Sequence, residues 1–384
     1  MVDMRLTRRE FLVAAPASLG AWAYLGRAGL PATPAAWARV EWLCERFVAD
    51  RRAPGMSLAV SRNGAPVFTK TWGWSNLEQE EPVSPRTLFR IASVTKTFIG
   101  ALYLKLARNG TLALDEPASR WLPAFPRAAD FTLRMLLNHT SGLGEYTERP
   151  FDDLVRDAGR DYSSDELVVY MARVNPLFVH EPGAGWRYSN TGYVLLGVIA
   201  ERAAGAPLPV LIEQLAALAG LRETAWDADP GRASGRAIGY GFNDSWLRKG
   251  RWVRAPAVSA SYVGASGAIR STAEDLCRWY DALFEGAVLA SVELREMLEP
   301  ARLSGGGSTL TRQGSGYGLG VWTGTTAGRR VFWHAGSTAG FAADARHYPD
   351  LRASIVMLGN ADSSRMGSAP RRIREAVLDV VAAG

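Results

Sequence analysis

The stretch Ser93-Val94-Thr95-Lys96-Thr97-Phe98-Ile99-Gly100-Ala101-Leu102-Tyr103-Leu104-Lys105-Leu106-Ala107-Arg108 places apolar residues at Phe98, Ile99, Leu102 and Leu106. That spacing predicts an amphipathic helix beginning at Ser93. Asn109-Gly110 follows it as a stop signal. Residues three apart on a helix lie one above the other, so a Ser93 hydroxyl and a Lys96 amine can meet. The first turn of a helix also offers unpaired N–H groups and a positive dipole end, which stabilise an oxyanion and help lower a lysine pKa. A free lysine titrates near about 10.4 and is a poor base at neutral pH, so such surroundings are needed. Only four of the 44 basic residues are lysine, and arginine in that place would hold its proton.

Upstream of this helix, Trp37–Ala49 has helical spacing through Val40, Leu43, Cys44 and Phe47. Met56–Val60 and Val67–Trp72 flank Asn63-Gly64, a pair suited to a tight turn that needs positive φ, and an antiparallel hairpin is expected there. Downstream, helical stretches dominate: Leu133–Leu137, Asp165–Val174, Gly192–Ala204 and Val210–Ala219. Thr272–Phe284 reads as a further helix capped by Thr272 with Asp275 three residues on. Strand character resumes at Gly318–Trp322, Arg330–His334, Ala342–Tyr348 and Ser354–Leu358, and Arg371–Val381 closes the chain as a helix. Strands at both ends and helices between them predict an α+β fold: one antiparallel sheet built from both chain ends, flanked by helices, with a mainly helical inserted region. Residues 39–98 and 264–384 would form the sheet domain and residues 99–263 the helical one.

Two further segments carry chemistry. Tyr188-Ser189-Asn190 precedes the helix at Gly192; a phenol can shuttle a proton where nearby cations hold its pKa down, and Asn190 offers both a donor and an acceptor. His334-Ala335-Gly336 ends the apolar run Val331-Phe332-Trp333, and glycine there admits a substrate backbone at a strand edge. In this order and spacing, Ser93-Val94-Thr95-Lys96, Tyr188-Ser189-Asn190 and His334-Ala335-Gly336 resemble the serine β-lactamase and penicillin-binding protein superfamily, β-lactamase/transpeptidase-like in fold. The branch is that of class C β-lactamases, serine D-alanyl-D-alanine carboxypeptidases and related esterases. Leu136–Leu143 and Gly267–Asp275 are similar to the same branch, so the resemblance covers about residues 40–384.

The resemblance implies a serine hydrolase acting through an acyl-enzyme on a D-Ala-D-Ala-type peptide, a small ester or a β-lactam. Ser93 would attack, Lys96 and Tyr188 would share the acid and base duties, and Asn190 would hold the substrate amide and Lys96. His334 would assist from the strand side, and the backbone N–H groups of Ser93 and Ser337 would form the oxyanion hole. Relatives that recognise penicillin often carry lysine where His334 stands. A largely neutral histidine anchors a carboxylate less well, unless an arginine such as Arg346 substitutes, so β-lactam turnover is expected to be weak or absent. The alternative is a catalytically weak penicillin-binding or scaffold protein that retains the fold.

Other features bound the reading. Hydrophobic residues make up 47% and charged ones 21%, as in a folded chain with a sizeable core. The net charge of +6 is spread without basic runs interleaved with aromatics, which argues against nucleic acid as a partner and leaves a small molecule or peptide. Oligomeric state stays open. Cys44 and Cys277 fit no metal spacing and read as buried free thiols, with a single disulfide the alternative in an oxidising compartment. His139 and Ser141 are expected to pin a loop, and Pro182 after His180-Glu181 spoils a zinc helix; no metal or cofactor is expected. Trp246, Trp252 and Tyr262 are candidates to wall the acyl pocket or to fill a core. Thr7-Arg8-Arg9-Glu10-Phe11-Leu12 resembles a twin-arginine export signal, followed by an apolar run too short for a membrane span and by Ala36-Trp37-Ala38 as a cleavage site. Residues 1–38 are therefore read as a signal, and the enzyme as periplasmic or extracellular.

Overall fold

Positive φ at Asn63 (52°) and Gly64 (73°) turns strand β1 (Gly55–Arg62) back into β2 (Ala65–Asn76), as the Asn-Gly pair predicts. In this computed structural model, residues 34–228, 235–243, 250–307, 309 and 315–383 are described. The twin-arginine motif and Trp246 lie outside the described residues. A short β3 (Glu81–Pro82) follows β2, and five strands come from the C-terminal part: β4 (Gly316–Tyr317), β5 (Trp322–Thr326), β6 (Arg329–Thr338), β7 (Phe341–Tyr348) and β8 (Ala353–Gly359). Together they make one antiparallel sheet of order β3-β2-β1-β8-β7-β6-β5-β4. The chain ends meet in its centre, where Met56 faces Gly359 and Arg62 faces Ala353.

Alternation along β1 decides which layer each residue joins. Leu58 and Val60 pack with α1 (Pro34–Ala49) and the C-terminal helix Ala369–Ala383. Ala59 packs on the other face with the helix Ala273–Phe284 and the helical region. That second core is continuous from the sheet into the helices, joining Val356 and Leu358 to Leu102, Ile199 and Leu211. The inserted region shares a core with the sheet domain.

Helix α2 spans Thr95–Arg108 and α3 spans Asn190–Ala204. Thr272 caps Ala273–Phe284 by accepting from Asp275 N–H, as its spacing predicts. Three expectations are corrected or sharpened, and one helix is added. Ser93 precedes α2, on the tighter turn Ala92–Val94. Gly318–Trp322 does not form a strand over its length: Gly320 has φ 84°, and a Cβ there would lie 2.3 Å from Lys96 O, so the segment is a glycine loop packed under α2. The helix Ser291–Leu298 was not foreseen. Finally, α1 begins at Pro34, and Trp37 stacks on Phe68 with centroids 4.4 Å apart, so the folded part reaches back into the segment read as signal.

The two cysteines sit in the cores on opposite faces of the sheet, both buried and free, which removes the disulfide alternative. Among the described residues, no single helix is long and apolar enough to cross a membrane.

Candidate active site

The turn carrying Ser93 is held from both sides. Ala92 adopts φ 46°, a left-handed conformation that costs an alanine on the order of 1 kcal/mol and persists only where its surroundings impose it. Strand β6 supplies part of that constraint. A Cβ at Gly336 would lie 2.1 Å from Ile91 O, so only glycine lets the strand approach the turn this closely. Gly336 was expected to admit a substrate backbone; in the structure its missing Cβ makes room for the turn that bears Ser93.

Lys96 follows on the first turn of α2 with no exposed surface. Its Nζ lies 3.1 Å from Ser93 Oγ, 2.7 Å from Asn190 Oδ1 and 2.8 Å from Ser266 O. A neutral amine has two N–H donors and one lone pair. The two carbonyl-type acceptors take the donors, which turns the lone pair toward the Ser93 hydroxyl. Burial lowers the Lys96 pKa to about 7, against an opposing pull from Glu145. A lysine held near neutrality can exist as the neutral amine, which is able to accept a proton. That base is set by burial and by two acceptors from distant segments.

Tyr188 and Asn190 are fixed by a loop contact. Ser189 caps α3 by accepting from Gly192 N–H at 3.2 Å, and its own N–H donates to His139 Nδ1 at 3.2 Å. His139 O accepts from Arg187 N–H, and the imidazole lies 4.4 Å from the Tyr188 ring, centroid to centroid. The loop role expected of His139 is what the structure shows. Glu145 was missed by the sequence reading: its carboxylate accepts from Asn190 N–H at 2.5 Å and from Thr147 N–H and Oγ–H. A carboxylate at this helix N-terminus satisfies an otherwise unpaired donor. Burial raises the Tyr188 pKa above the usual phenol range, with hydrogen bonding to Ser93 as the smaller, opposing effect. Tyr188 therefore stays protonated at neutral pH.

His334 departs from its expected role. It is 2% exposed, its Nδ1 lies 2.7 Å from Ala335 O, and its Nε2 lies 3.0 Å from Tyr317 Oη. A carbonyl only accepts, so Nδ1 carries the proton and Nε2 accepts from the Tyr317 hydroxyl. Burial, assisted by Lys96, depresses its pKa to about 3. Both ring nitrogens are engaged by protein, which makes His334 a neutral positioning residue beneath the strand edge.

Ser93, Asn190 and Ser337 line two cavities in common. One, of about 260 Å³, is walled by Leu154, Ala158, Val258, Tyr262 and Val263, with no charged side chain among its lining residues. Tyr262 both lines this cavity and belongs to the core, whereas Trp252 packs on Phe242 in the hairpin Tyr240–Asn243/Arg251–Arg254 and lines neither cavity. The other, of about 470 Å³, includes Tyr188, Gly336 and Arg346. Arg346, the proposed substitute anchor, donates through Nε to Asp344 Oδ1 at 2.7 Å.

For metals, Asp281, Glu285 and His347 bring ligand-type atoms within 4.8 Å of one another. Those groups already hold protein partners: Ser354 bridges Asp281 and His347, and Arg352 pairs with Glu285. None of the three lines either cavity at Ser93.

A serine, a buried lysine and a protonated tyrosine converging on one hollow define an active-site serine enzyme of the acyl-transfer class. The model of the beta-lactamase family matches residues 40–378, and the chain belongs to that family. It is 28% identical over 319 residues to penicillin-binding protein 4* of Bacillus subtilis, covering 80% of this chain and 68% of that protein. It is 37% identical over 210 residues to esterase EstB of Burkholderia gladioli, covering 51% of this chain and about half, 53%, of the esterase. The D-amino acid amidase of Ochrobactrum anthropi SV3, complexed with D-phenylalanine, has a similar structure, with TM-score 0.75 and 26% identity over 90% of this chain and 99% of that one.

Proposed function

We propose that this protein hydrolyses an ester or amide through an acyl-enzyme on Ser93. Neutral Lys96 takes the Ser93 proton as Oγ attacks the substrate carbonyl, and the backbone N–H groups of Ser93 and Ser337 receive the oxyanion. The proton passes by way of Tyr188 to the leaving oxygen or nitrogen as the acyl–leaving-group bond breaks. Water then attacks the ester on Ser93, with the same groups running the proton transfers in reverse. The observation that carries this reading is the buried Lys96 amine, with a pKa near 7, in contact with Ser93 Oγ. Asn190, already bonded to Lys96, lines both cavities and is placed to hold the substrate carbonyl group.

An uncharged acyl group is favoured, because among the described residues no charged side chain lines the smaller cavity. Esters and D-amino-acid amides are the substrate classes suggested by the relatives' names. Among the described residues that cavity offers no acidic partner for a substrate ammonium, which favours the ester. Twin-arginine export to the periplasm or beyond is proposed on the motif Thr7–Leu12 alone.

The test is a panel of p-nitrophenyl esters, D-Ala-D-Ala peptides and a chromogenic cephalosporin, with fluorophosphonate labelling. Ester turnover and a mass increase on the Ser93 peptide are expected, both absent in Ser93→Ala. Turnover that survives in Ser93→Ala refutes the mechanism, and absence of label in the native chain supports a binding protein.

A further inference from the structure

Resting on that acyl-enzyme reading, the geometry points to the larger cavity as a leaving-group site for an elongated apolar alcohol or amine that ends in a carboxylate. The direction follows from the proton donor. A leaving group must lie beside the group that protonates it, and Tyr188 lines the larger cavity but not the smaller one.

From Ser93 the cavity runs past Ala335 and Ser337 into the space between the sheet and the C-terminal helix. Its lining also includes Phe47 of α1, Met56 of β1, Met357 of β8, Met366 and Ile373. Three of these five are flexible thioethers, which adapt to an alkyl chain, and the other two are apolar. Strand β6 lacks a β5 partner beyond Trp333 among the described residues, because pairing ends at Trp322↔Trp333. The edge at Ala335–Ser337 is thus left open where the cavity begins.

One wall of the cavity carries charge. Asp344 Oδ1 accepts from Arg346 Nε, and Asp344 Oδ2 pairs with Arg374 Nη1. Both carboxylate oxygens are engaged by two guanidinium groups, so the cluster keeps a net positive charge. Arg346 is held over the Trp333 ring at 4.5 Å and has no protein acceptor other than Asp344 among the described residues. Its remaining N–H donors suit a carboxylate.

Register fixes the distance. Ser337 faces Ala342 and Trp333 faces Arg346, so four residues, about 13 Å of strand, separate the level of Ser337 from that of Arg346. Allowing for the reach of the arginine side chain, the leaving group is on the order of 10 Å long.

The experiment uses butyrate esters of methanol, butanol, hexanol and octanol, and of 8-hydroxyoctanoic acid, at fixed pH and salt. In the native enzyme kcat/KM is expected to rise about threefold per added methylene, and about tenfold again for the terminal carboxylate. Arg346→Gln should cut the ratio of 7-carboxyheptyl to octyl ester kcat/KM about tenfold, and Met366→Trp should flatten the chain-length series by filling the cavity. Hydrolysis of the methyl ester with a flat chain-length profile in the native enzyme overturns the inference and leaves the acyl-enzyme reading standing. A carboxylate preference that survives Arg346→Gln overturns the assignment of the anion to Arg346. Absence of Ser93 acylation by every ester overturns both readings.

Discussion

Replacing Glu145 by Gln removes one negative charge near Lys96 while keeping an acceptor for Asn190 N–H. In the folded protein this carboxylate pulls the Lys96 pKa up, against the burial that pulls it down. The relay between them is short, with 2.5 Å from Glu145 Oε2 to Asn190 N and 2.7 Å from Asn190 Oδ1 to Lys96 Nζ. A charge separation on the order of 7 Å at an effective dielectric of about 20 gives about 2 kcal/mol, and solvent screening of the half-buried carboxylate reduces this to about 1 kcal/mol. That moves the Lys96 midpoint down by somewhat under one pH unit. The assay is kcat/KM for a p-nitrophenyl ester, measured from about pH 5 to 9. Native enzyme should show an acidic limb with a midpoint near 7, since activity follows the neutral amine. In Glu145→Gln the limb should shift lower, raising activity at about pH 6 relative to its plateau by several fold. A matching thermal melt separates this shift from unfolding. A limb that stays in place or moves higher refutes Lys96 as the base and points to another titrating group.

Three other outcomes follow from the same site. Lys96→Met should abolish ester turnover and yet stabilise the fold at neutral pH. The lysine is protonated in the unfolded chain up to about 10.5, but folding depresses its pKa to about 7, so its destabilising effect is full below about pH 7 and fades as pH rises toward 10.5. The effect is about 4 kcal/mol at pH 7; the two acceptors left without a donor offset about half, and a denaturation midpoint that falls would count against the depressed pKa. Gly336→Ala should lower kcat/KM at least a hundredfold, because its Cβ would meet Ile91 O at 2.1 Å and must displace the Ser93 turn; wild-type rates in that variant would contradict the close approach. Turnover of a chromogenic cephalosporin should be slow, since His334 is neutral and both its nitrogens are engaged, and rapid turnover would show that another group anchors the carboxylate.

The elements were legible in the sequence where local chemistry defines them. Asn63-Gly64, the Thr272 cap and the stop at Asn109-Gly110 each satisfy backbone requirements within a few residues, so the pattern and the structure agree. Gly318–Trp322 misled for the opposite reason. Its short apolar run reads as a strand, but its glycines are there for close approach to Lys96 O and to Met297 O, contacts made by distant segments. The helix Ser291–Leu298 is short, with only Glu293 and Met297 buried, and leaves little periodic signal.

The sequence alone determined which groups are candidates for the chemistry: Ser93 and Lys96 three residues apart, and Tyr188 and Asn190 at the start of a helix. Hydrogen-bonding capacity and spacing along a helix are properties of the chain itself. Tertiary structure decided the protonation states. Burial beneath α3 and the Ser266 turn makes Lys96 a base, contact with Tyr317 takes His334 out of direct chemistry, and Glu145 reaches Asn190 from 45 residues away. Desolvation and Coulomb energies depend on what surrounds a group in space, and only folding brings those surroundings together.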